Sequence, residues 1–360
     1  MGLPEIAGWI DDRMNSRAVA LLARRGWRPR IIAFTGYGST TSLRVLGRVV
    51  MSNPERAAEP PPAWGPRSLA VLADRGWRQY FSAQVCDHPV AVRANGRRVL
   101  TRTDSGGYID VLITGHGLEP GWHTVHIEAR AAEPVSARVL VVSPQTRTGI
   151  VSDIDDTIMV TMLPRALIAA WNTFVRHSSA RRAVPGMAEL YRQVVAEQPD
   201  TPVFYLSTGA WNAVPTLQAF MTKHGYPPGP MLMTDWGPTA TSLFRSGIEH
   251  KRVSLRNLMI TFPEIRWILV GDDGQHDPKV YDDAAREHPG HIAAIAIRQL
   301  SPREQVLSHG TPERLDARET HRHAASEHGV PTVSGRDGRA LLKALPELTI
   351  PQSSTAAAAN

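Results

Sequence analysis

From Gly149 onward the chain sets apolar runs of strand length against helical segments, and most of those runs end in Asp, Ser or Thr. The runs are GIVSD, VFYLST, MLMTD, RWILVGDD and HIAAIAIR. Between them lie helical patterns at 186–197, 211–224, 250–261 and 278–287, and VPTVSG with GRALLKAL adds one more strand and helix. Unbroken apolarity marks strands covered on both faces, and strand–helix alternation is how a parallel sheet acquires that cover. In an open sheet of this kind ligands bind beyond the carboxyl ends of the strands. The residues that follow each strand therefore carry the chemistry.

After GIVS come Asp153, Asp155 and Thr157; after VFYL come Ser207 and Thr208. After RWILVG come Asp272 and Asp273, with Asp277 five residues past Asp272, and Lys251 opens the helical stretch before that strand. A parallel sheet is expected to bring them to one edge. Carboxylates that close repel, and a hard cation with oxygen ligands relieves the repulsion, so Mg²⁺ held by Asp153 and Asp272 is expected. Asp153 then suits a nucleophile that forms an aspartyl-phosphate, and Asp155, two residues on, suits the acid and base of the two steps. Ser207 and Lys251, with Thr157 and Thr208 beside them, suit the phosphoryl oxygens.

Each residue also has a plainer use. Asp156 suits a turn or helix cap, and Asp277 before Pro278 suits an N-cap as well as metal support. Ser207 and Thr208 suit the N-terminus of a helix beginning near Trp211, which is compatible with binding phosphate there. Lys251 is singled out by position alone, His276 reads as exposed, and Trp211 reads as core or pocket wall.

Upstream the pattern is different. Residues 30–147 alternate apolar with polar residues over short segments such as VAVRANGRRVLT and GYIDVLIT, broken by turn signals including Asn95-Gly96. That predicts an all-β, sandwich-like domain. Its histidines, at 88, 116, 123 and 126, lack metal-ligand spacing, so a binding or positioning module is expected. The Pro-rich stretch 53–68 reads as an exposed loop, residues 1–29 as an N-terminal amphipathic helix with a basic end, and 349–360 as a disordered tail. The helix suits either packing on the next domain or a membrane surface.

The chain has 360 residues, enough for two cores, and a formal net charge of +6 that favours anionic partners without choosing among them. Cys86 is its one cysteine, which excludes an internal disulfide and a Cys-based zinc site. The opening residues lack a secretory signal and no apolar run reaches membrane-spanning length, so a cytoplasmic protein with at most peripheral membrane contact is expected. No nucleic-acid partner is expected, and oligomeric state is not legible.

The set Asp153-x-Asp155-x-Thr157, Ser207, Lys251 and GDDGQHD (271–277) resembles the four motifs of the haloacid-dehalogenase-like (HAD) phosphohydrolases. SDIDDTI, VPGM (184–187), FYLST…WN (204–212), HK (250–251) and ITFPEIRWILVGDDGQHDPKVY (260–281) resemble more closely the App1-type phosphatidate phosphatase catalytic domain. The resemblance runs from about 149 to about 300 and implies a HAD-like Rossmannoid domain over 148–348. It implies Mg²⁺ held by Asp153, Asp272 and the carbonyl of Asp155, with Asp273 and Asp277 beside them. An insertion at about 158–184 corresponds to a cap, and its apolar and basic residues (Leu163, Leu167, Trp171, Phe174, Arg165, Arg176, His177, Arg181, Arg182) suit a lipid phosphate, unless the segment simply packs on the sheet. Where the family shows a Ser-Pro-Trp-like step, this chain reads Ser207-Thr208-Gly209-Ala210-Trp211, and Asp273 replaces a more usual serine. The expected function is Mg²⁺-dependent hydrolysis of a phosphomonoester, with phosphatidate as substrate. The rivals are a phosphatase for a soluble metabolite or protein, and a non-catalytic membrane- or protein-binding module.

Overall fold

The structure is a computed structural model that describes residues 17–53, 83–160, 182–234, 246–274, 276–302, 304–305 and 329–344. The start of the N-terminal helix, most of the Pro-rich loop, the body of the 158–184 insertion with its named residues at 163–181, and the tail lie outside them. The described chain falls into two compact units. One runs to Thr146 and adds Pro202–Glu264; the other takes 147–160, 182–201 and what is described from Ile265 on.

Among its described residues the first unit opens with helix α1 over 17–24, followed by eight strands. They are β1 (Arg28–Ala33), β2 (Gly36–Gly38), β3 (Ser42–Ser52), β4 (Pro89–Ala94), β5 (Arg97–Arg102), β6 (Tyr108–Thr114), β7 (Gly121–Ala129) and β8 (Val135–Val141). Pairing runs β1-β3-β2-β8-β7-β4-β5, and β6 joins β3 as well, so the long strand β3 ties the set into one hydrogen-bonded network. Side chains alternate as a pleated strand requires. In β6, Ile109, Val111 and Ile113 are buried while Asp110, Leu112 and Thr114 face out. The inward set joins Val45, Val49, Val92, Val125, Ile127 and Val139 in one core, against which Val19 and Leu22 of α1 pack. Asn95 and Gly96 both have positive φ, 45° and 78°, which is the turn that best matches the twist of a two-residue hairpin.

The histidines of this region hold loops. Nε2 of His88, His116 and His123 lies within hydrogen-bonding distance of the carbonyls of Arg130, Ser39 and Glu119, at 2.7, 3.0 and 2.6 Å.

Next along the chain come β9 (Thr148–Asp153), β10 (Met159–Val160), β11 (Arg182–Ala183) and α2 (Met187–Glu197). Then follow β12 (Val203–Ala210), α3 (Val214–Lys223), β13 (Met231–Thr234), α4 (Ser246–Thr261) and β14 (Arg266–Asp272). The described chain ends with α5 (Asp277–Glu287), β15 (Ile292–Arg298), β16 (Thr332–Gly335) and α6 (Gly338–Ala344). In the second unit β9, β14, β15 and β16 are parallel neighbours in that order. Burial along β9, β14 and β15 is almost continuous, as a sheet covered on both faces demands. The pair β10–β11 is antiparallel and closes the two described ends of the 158–184 segment, with Met159 opposite Ala183.

In the first unit β12 and β13 form a parallel pair on which α4 packs. The β-rich region grips this pair through side chains. Phe34 stacks on Trp211 with ring centroids 4.6 Å apart, Tyr37 meets Phe204 edge-on at 5.1 Å, and Arg48 Nη1 donates to Asn212 Oδ1 at 2.8 Å. Trp211 is thus wall and anchor. Among the described residues no helix is long and apolar enough to cross a membrane.

Candidate active site

In the second unit β9 and β14 run parallel with Ser152 opposite Val270, so Asp153 and Asp272 leave adjacent strands at the same edge. One carboxylate oxygen from each of Asp153, Asp272 and Asp277 lies within 4.8 Å of the other two, and all three residues are buried. Asp277 arrives from the first turn of α5, where Pro278 fixes the helix start. Its Oδ2 accepts the amide of Asp272 at 3.4 Å. Oδ1 of Asp272 accepts the amide of Gly274 at 2.7 Å, and Thr157 Oγ1 donates to its Oδ2 at 3.3 Å.

Three buried carboxylates this close repel one another in a weakly screened interior. A shared cation relieves that repulsion, and an all-carboxylate oxygen set at strand ends is the chemistry that Mg²⁺ accepts. The residues present therefore fit the metal. Tyr281 reports the same field: burial first, and then the charges of Asp277, Asp153 and Asp272, push its hydroxyl well above its usual pKa. It stays protonated and donates to the carbonyl of Val270 at 3.1 Å.

Asp155 and Asp273 stand outside this grouping. Asp155 is partly buried in the loop after β9, where Asp156 has a φ of 57° and the amide of Ile158 donates to Ile154 O at 3.0 Å, closing one turn. Asp273 Oδ1 accepts the amide of Leu300 at 2.7 Å, so this carboxylate ties down the segment after β15.

The first unit holds the other candidates. Ser207, near the end of β12, is buried and its Oγ accepts the amide of Gly209 at 2.9 Å. Neither Ser207 nor Thr208 caps the short helix at Trp211, whose N-cap is Ala210 without a side-chain bond. The carbonyl of Thr208 instead takes the hydroxyl of Thr234 at 2.8 Å. The first turn of α4 passes close to this end of β12: a Cβ added at Gly247 would stand 3.2 Å from Thr208 Cγ2. Lys251 follows on that helix and is only 4 % exposed, an unusual place for an ammonium. His250 beside it is held neutral, its pKa lowered by burial, with Nε2 3.3 Å from Leu232 O.

Two further residues carry weight that the sequence did not announce. Tyr191 on α2 shares a 2.7 Å hydrogen bond with Ser152, which flanks Asp153. Arg298, at the end of β15, is opposite Asp272 in the register and is buried. The charge that closes the apolar run IAAIAI is its one signal in the sequence.

Residues 148–299 match the family described as phosphatidate phosphatase APP1, catalytic domain. Phosphatidate phosphatase APP1 of Saccharomyces cerevisiae is 29% identical over 154 residues, covering 42% of this chain and 26% of that protein. An uncharacterised protein of Schizosaccharomyces pombe is 24% identical over 152 residues, covering 42% and 25%. The chain thus spans about a quarter of the length of these curated relatives. Among solved structures, one from Thermotoga maritima provisionally assigned as a β-phosphoglucomutase overlays with a TM-score of 0.32 at 12% identity, over 56% of this chain and 99% of that one. An overlay that loose supports no shared fold or function.

Proposed function

Because residues 148–299 match the phosphatidate phosphatase APP1 catalytic-domain family, we propose that this chain is a Mg²⁺-dependent phosphatase that hydrolyses a phosphate monoester of lipid class, with phosphatidate the first candidate. The observation that carries the reading is the buried grouping of Asp153, Asp272 and Asp277 at the strand ends. Asp153, Asp272 and Asp277 would hold the ion, with Asp155 and Asp273 close in sequence. When bound, Mg²⁺ supplies positive charge against the phosphate and the carboxylates.

The chain's own residues divide the rest of the work. Asp153 attacks phosphorus and the ester oxygen leaves, giving an aspartyl-phosphate that water then hydrolyses. Asp155 gives its proton to the departing oxygen and takes one from the attacking water. Ser207 and Lys251, with Thr157 and Thr208, hold the non-bridging oxygens, where charge must be balanced. The segment 158–184 serves as a cap, residues 30–147 serve as a binding or positioning module, and the protein makes peripheral membrane contact where its substrate is a lipid.

The test is Mg²⁺-dependent phosphate release from phosphatidate and lysophosphatidate in mixed micelles, and from soluble phosphomonoesters, with Asp153→Asn alongside. Release that is lost on chelation and in the variant supports the reading, and the best substrate fixes the class. A folded wild type that releases nothing from any of them sinks it, and a fully active Asp153→Asn removes Asp153 as nucleophile.

A further inference from the structure

The loop between Asp153 and Thr157 is held from outside by a part-buried ion pair. Arg298 Nη1 donates to the carbonyl of Asp156 at 2.5 Å, and its Nη2 donates to Glu304 Oε1 at 2.7 Å. The side chains of Arg298 and Glu304 are 5% and 17% exposed. Glu304 is itself fixed. Its other oxygen, Oε2, accepts both the amide and the hydroxyl of Ser301 at 2.8 Å, and its own amide donates to Ser301 Oγ at 3.3 Å. That reciprocal pattern is a capping box, and it leaves one carboxylate oxygen aimed at Arg298. The backbone of Arg298 completes the frame, since its carbonyl accepts the amide of Asp273 at 2.9 Å.

What the guanidinium holds is a strained residue. Asp156 has a φ of 57°, a left-handed conformation that side chains other than glycine seldom adopt. Such a conformation persists only where the surroundings over-determine it, and it occurs most often where function needs it. Released, the loop would relax to ordinary φ and turn the peptide that joins Asp155 to Asp156. The direction of the Asp155 carboxyl depends on that peptide. The planar fork of Arg298 reaches Asp156 and Glu304 at once, which a lysine ammonium on a flexible stem does not match.

We propose that Arg298 is a positioning residue, locked by Glu304, that keeps Asp156 left-handed and thereby aims Asp155 at the departing ester oxygen. This rests on the phosphatase reading. In the step concerned the phosphorus–oxygen ester bond breaks, the bonding pair leaves on the alcohol oxygen, and the proton moves to it from the Asp155 carboxyl. Arg298 does not touch the reacting atoms.

The experiment uses the full chain, with Arg298→Lys and Glu304→Gln. Glu304→Gln keeps an acceptor for Ser301 and removes only the charge facing Arg298, so it carries the test if the lysine variant does not fold. The first readout is amide hydrogen exchange over residues 154–158, which needs no activity: faster exchange in the variants, with the rest of the second unit unchanged, is expected. The second is leaving-group dependence. An alkyl phosphate, phosphatidate included, needs a proton on its departing oxygen and p-nitrophenyl phosphate does not; kcat/KM reports that first step alone, so kcat/KM on the alkyl ester should fall about 10–100-fold while kcat/KM on the nitrophenyl ester falls about threefold or less. Unchanged exchange overturns the clamp, and equal losses on the two esters overturn the link to Asp155. A wild type inactive on both esters, phosphatidate among them, and on lysophosphatidate sinks the phosphatase reading, and the link to Asp155 with it, while the exchange comparison still judges the clamp.

Discussion

Asp277 Oδ2 accepts the backbone amide of Asp272 at 3.4 Å, and Gly271 leaves no room for anything more between the two elements. A Cβ built on Gly271 would stand 2.6 Å from that same oxygen, 2.8 Å from Asp277 Cβ and 2.7 Å from a ring carbon of Tyr281. The bare backbone of β14 is what lets the start of α5 bring a third carboxylate to the strand edge. Gly271→Ala is therefore expected to push Asp277 and Tyr281 aside, with a cost of about 1–3 kcal/mol by overpacking. Calorimetric melting and Mg²⁺ titration check it: both Tm and Mg²⁺ affinity should drop. A variant that melts and binds like the wild type would mean that α5 shifts freely and that its approach matters little.

Asp277→Asn separates repulsion from ligation. The amide is the same shape and still accepts the amide of Asp272, but it withdraws one of three buried negative charges lying within 4.8 Å. Without metal the variant should be more stable than the wild type at pH 7, by roughly 1–2 kcal/mol. With millimolar Mg²⁺ the order should reverse, because binding to the folded state adds stability by mass action and the variant binds more weakly. Melting curves with chelator and with Mg²⁺ decide it. A metal-free variant less stable than the wild type would show that the third carboxylate serves the fold and not the ion.

The positions of the carboxylates were legible because buried parallel strands write themselves as apolar runs, so Asp153 and Asp272 mark where two such runs stop. Asp277 was legible less directly, through the Asp-Pro that starts a helix. What the sequence hides is pairing across distance. Local pattern gives Arg298 only as the charge that closes a strand, yet its partner carbonyl lies 142 residues away at Asp156. Asp273 looks like one more acidic ligand beside Asp272, while its Oδ1 anchors the amide of Leu300. Neither the left-handed turn at Asp156 nor the buried ammonium of Lys251 follows from local pattern, since Asp and Lys are ordinary loop and surface residues. The β-rich region shows the same limit: its alternation predicts strands, whereas Phe34 on Trp211 and Arg48 on Asn212 tie it to β12 through residues more than a hundred positions apart.

His250 makes stability depend on mild acid. Burial lowers its pKa below the ordinary 6.5, against a smaller opposing effect from the Leu232 carbonyl and a further lowering from Lys251. The unfolded chain therefore binds a proton near pH 6.5 that the folded chain still refuses. Stability rises with pH wherever the unfolded state holds more protons, so it should be flat above about pH 7 and fall as pH drops through 6.5 toward the folded value. His250→Gln should flatten that stretch of the profile. Urea midpoints at pH 7.5 and 5.5 for the two proteins measure it, and an equal fall in both would assign the acid sensitivity elsewhere.

Gly338 sets how α6 meets α2. Its amide donates to Pro185 O at 3.0 Å, and a Cβ there would lie 2.3 Å from the carbonyl carbon of Gly186 and from the amide nitrogen of Met187. Those atoms are backbone, and Gly186 is itself at a φ of 73°, so neither side has a rotamer with which to give way. Gly338→Ala should cost roughly 2–4 kcal/mol, separating α6 from the start of α2. Gly290 provides the control, since nothing lies within 4 Å of a Cβ added there. Gly290→Ala should change stability by no more than about 0.5 kcal/mol, or raise it slightly by narrowing the unfolded ensemble. Denaturant unfolding of both variants measures the contrast. If Gly338→Ala matches Gly290→Ala, the close passage of the two backbones is not what fixes α6.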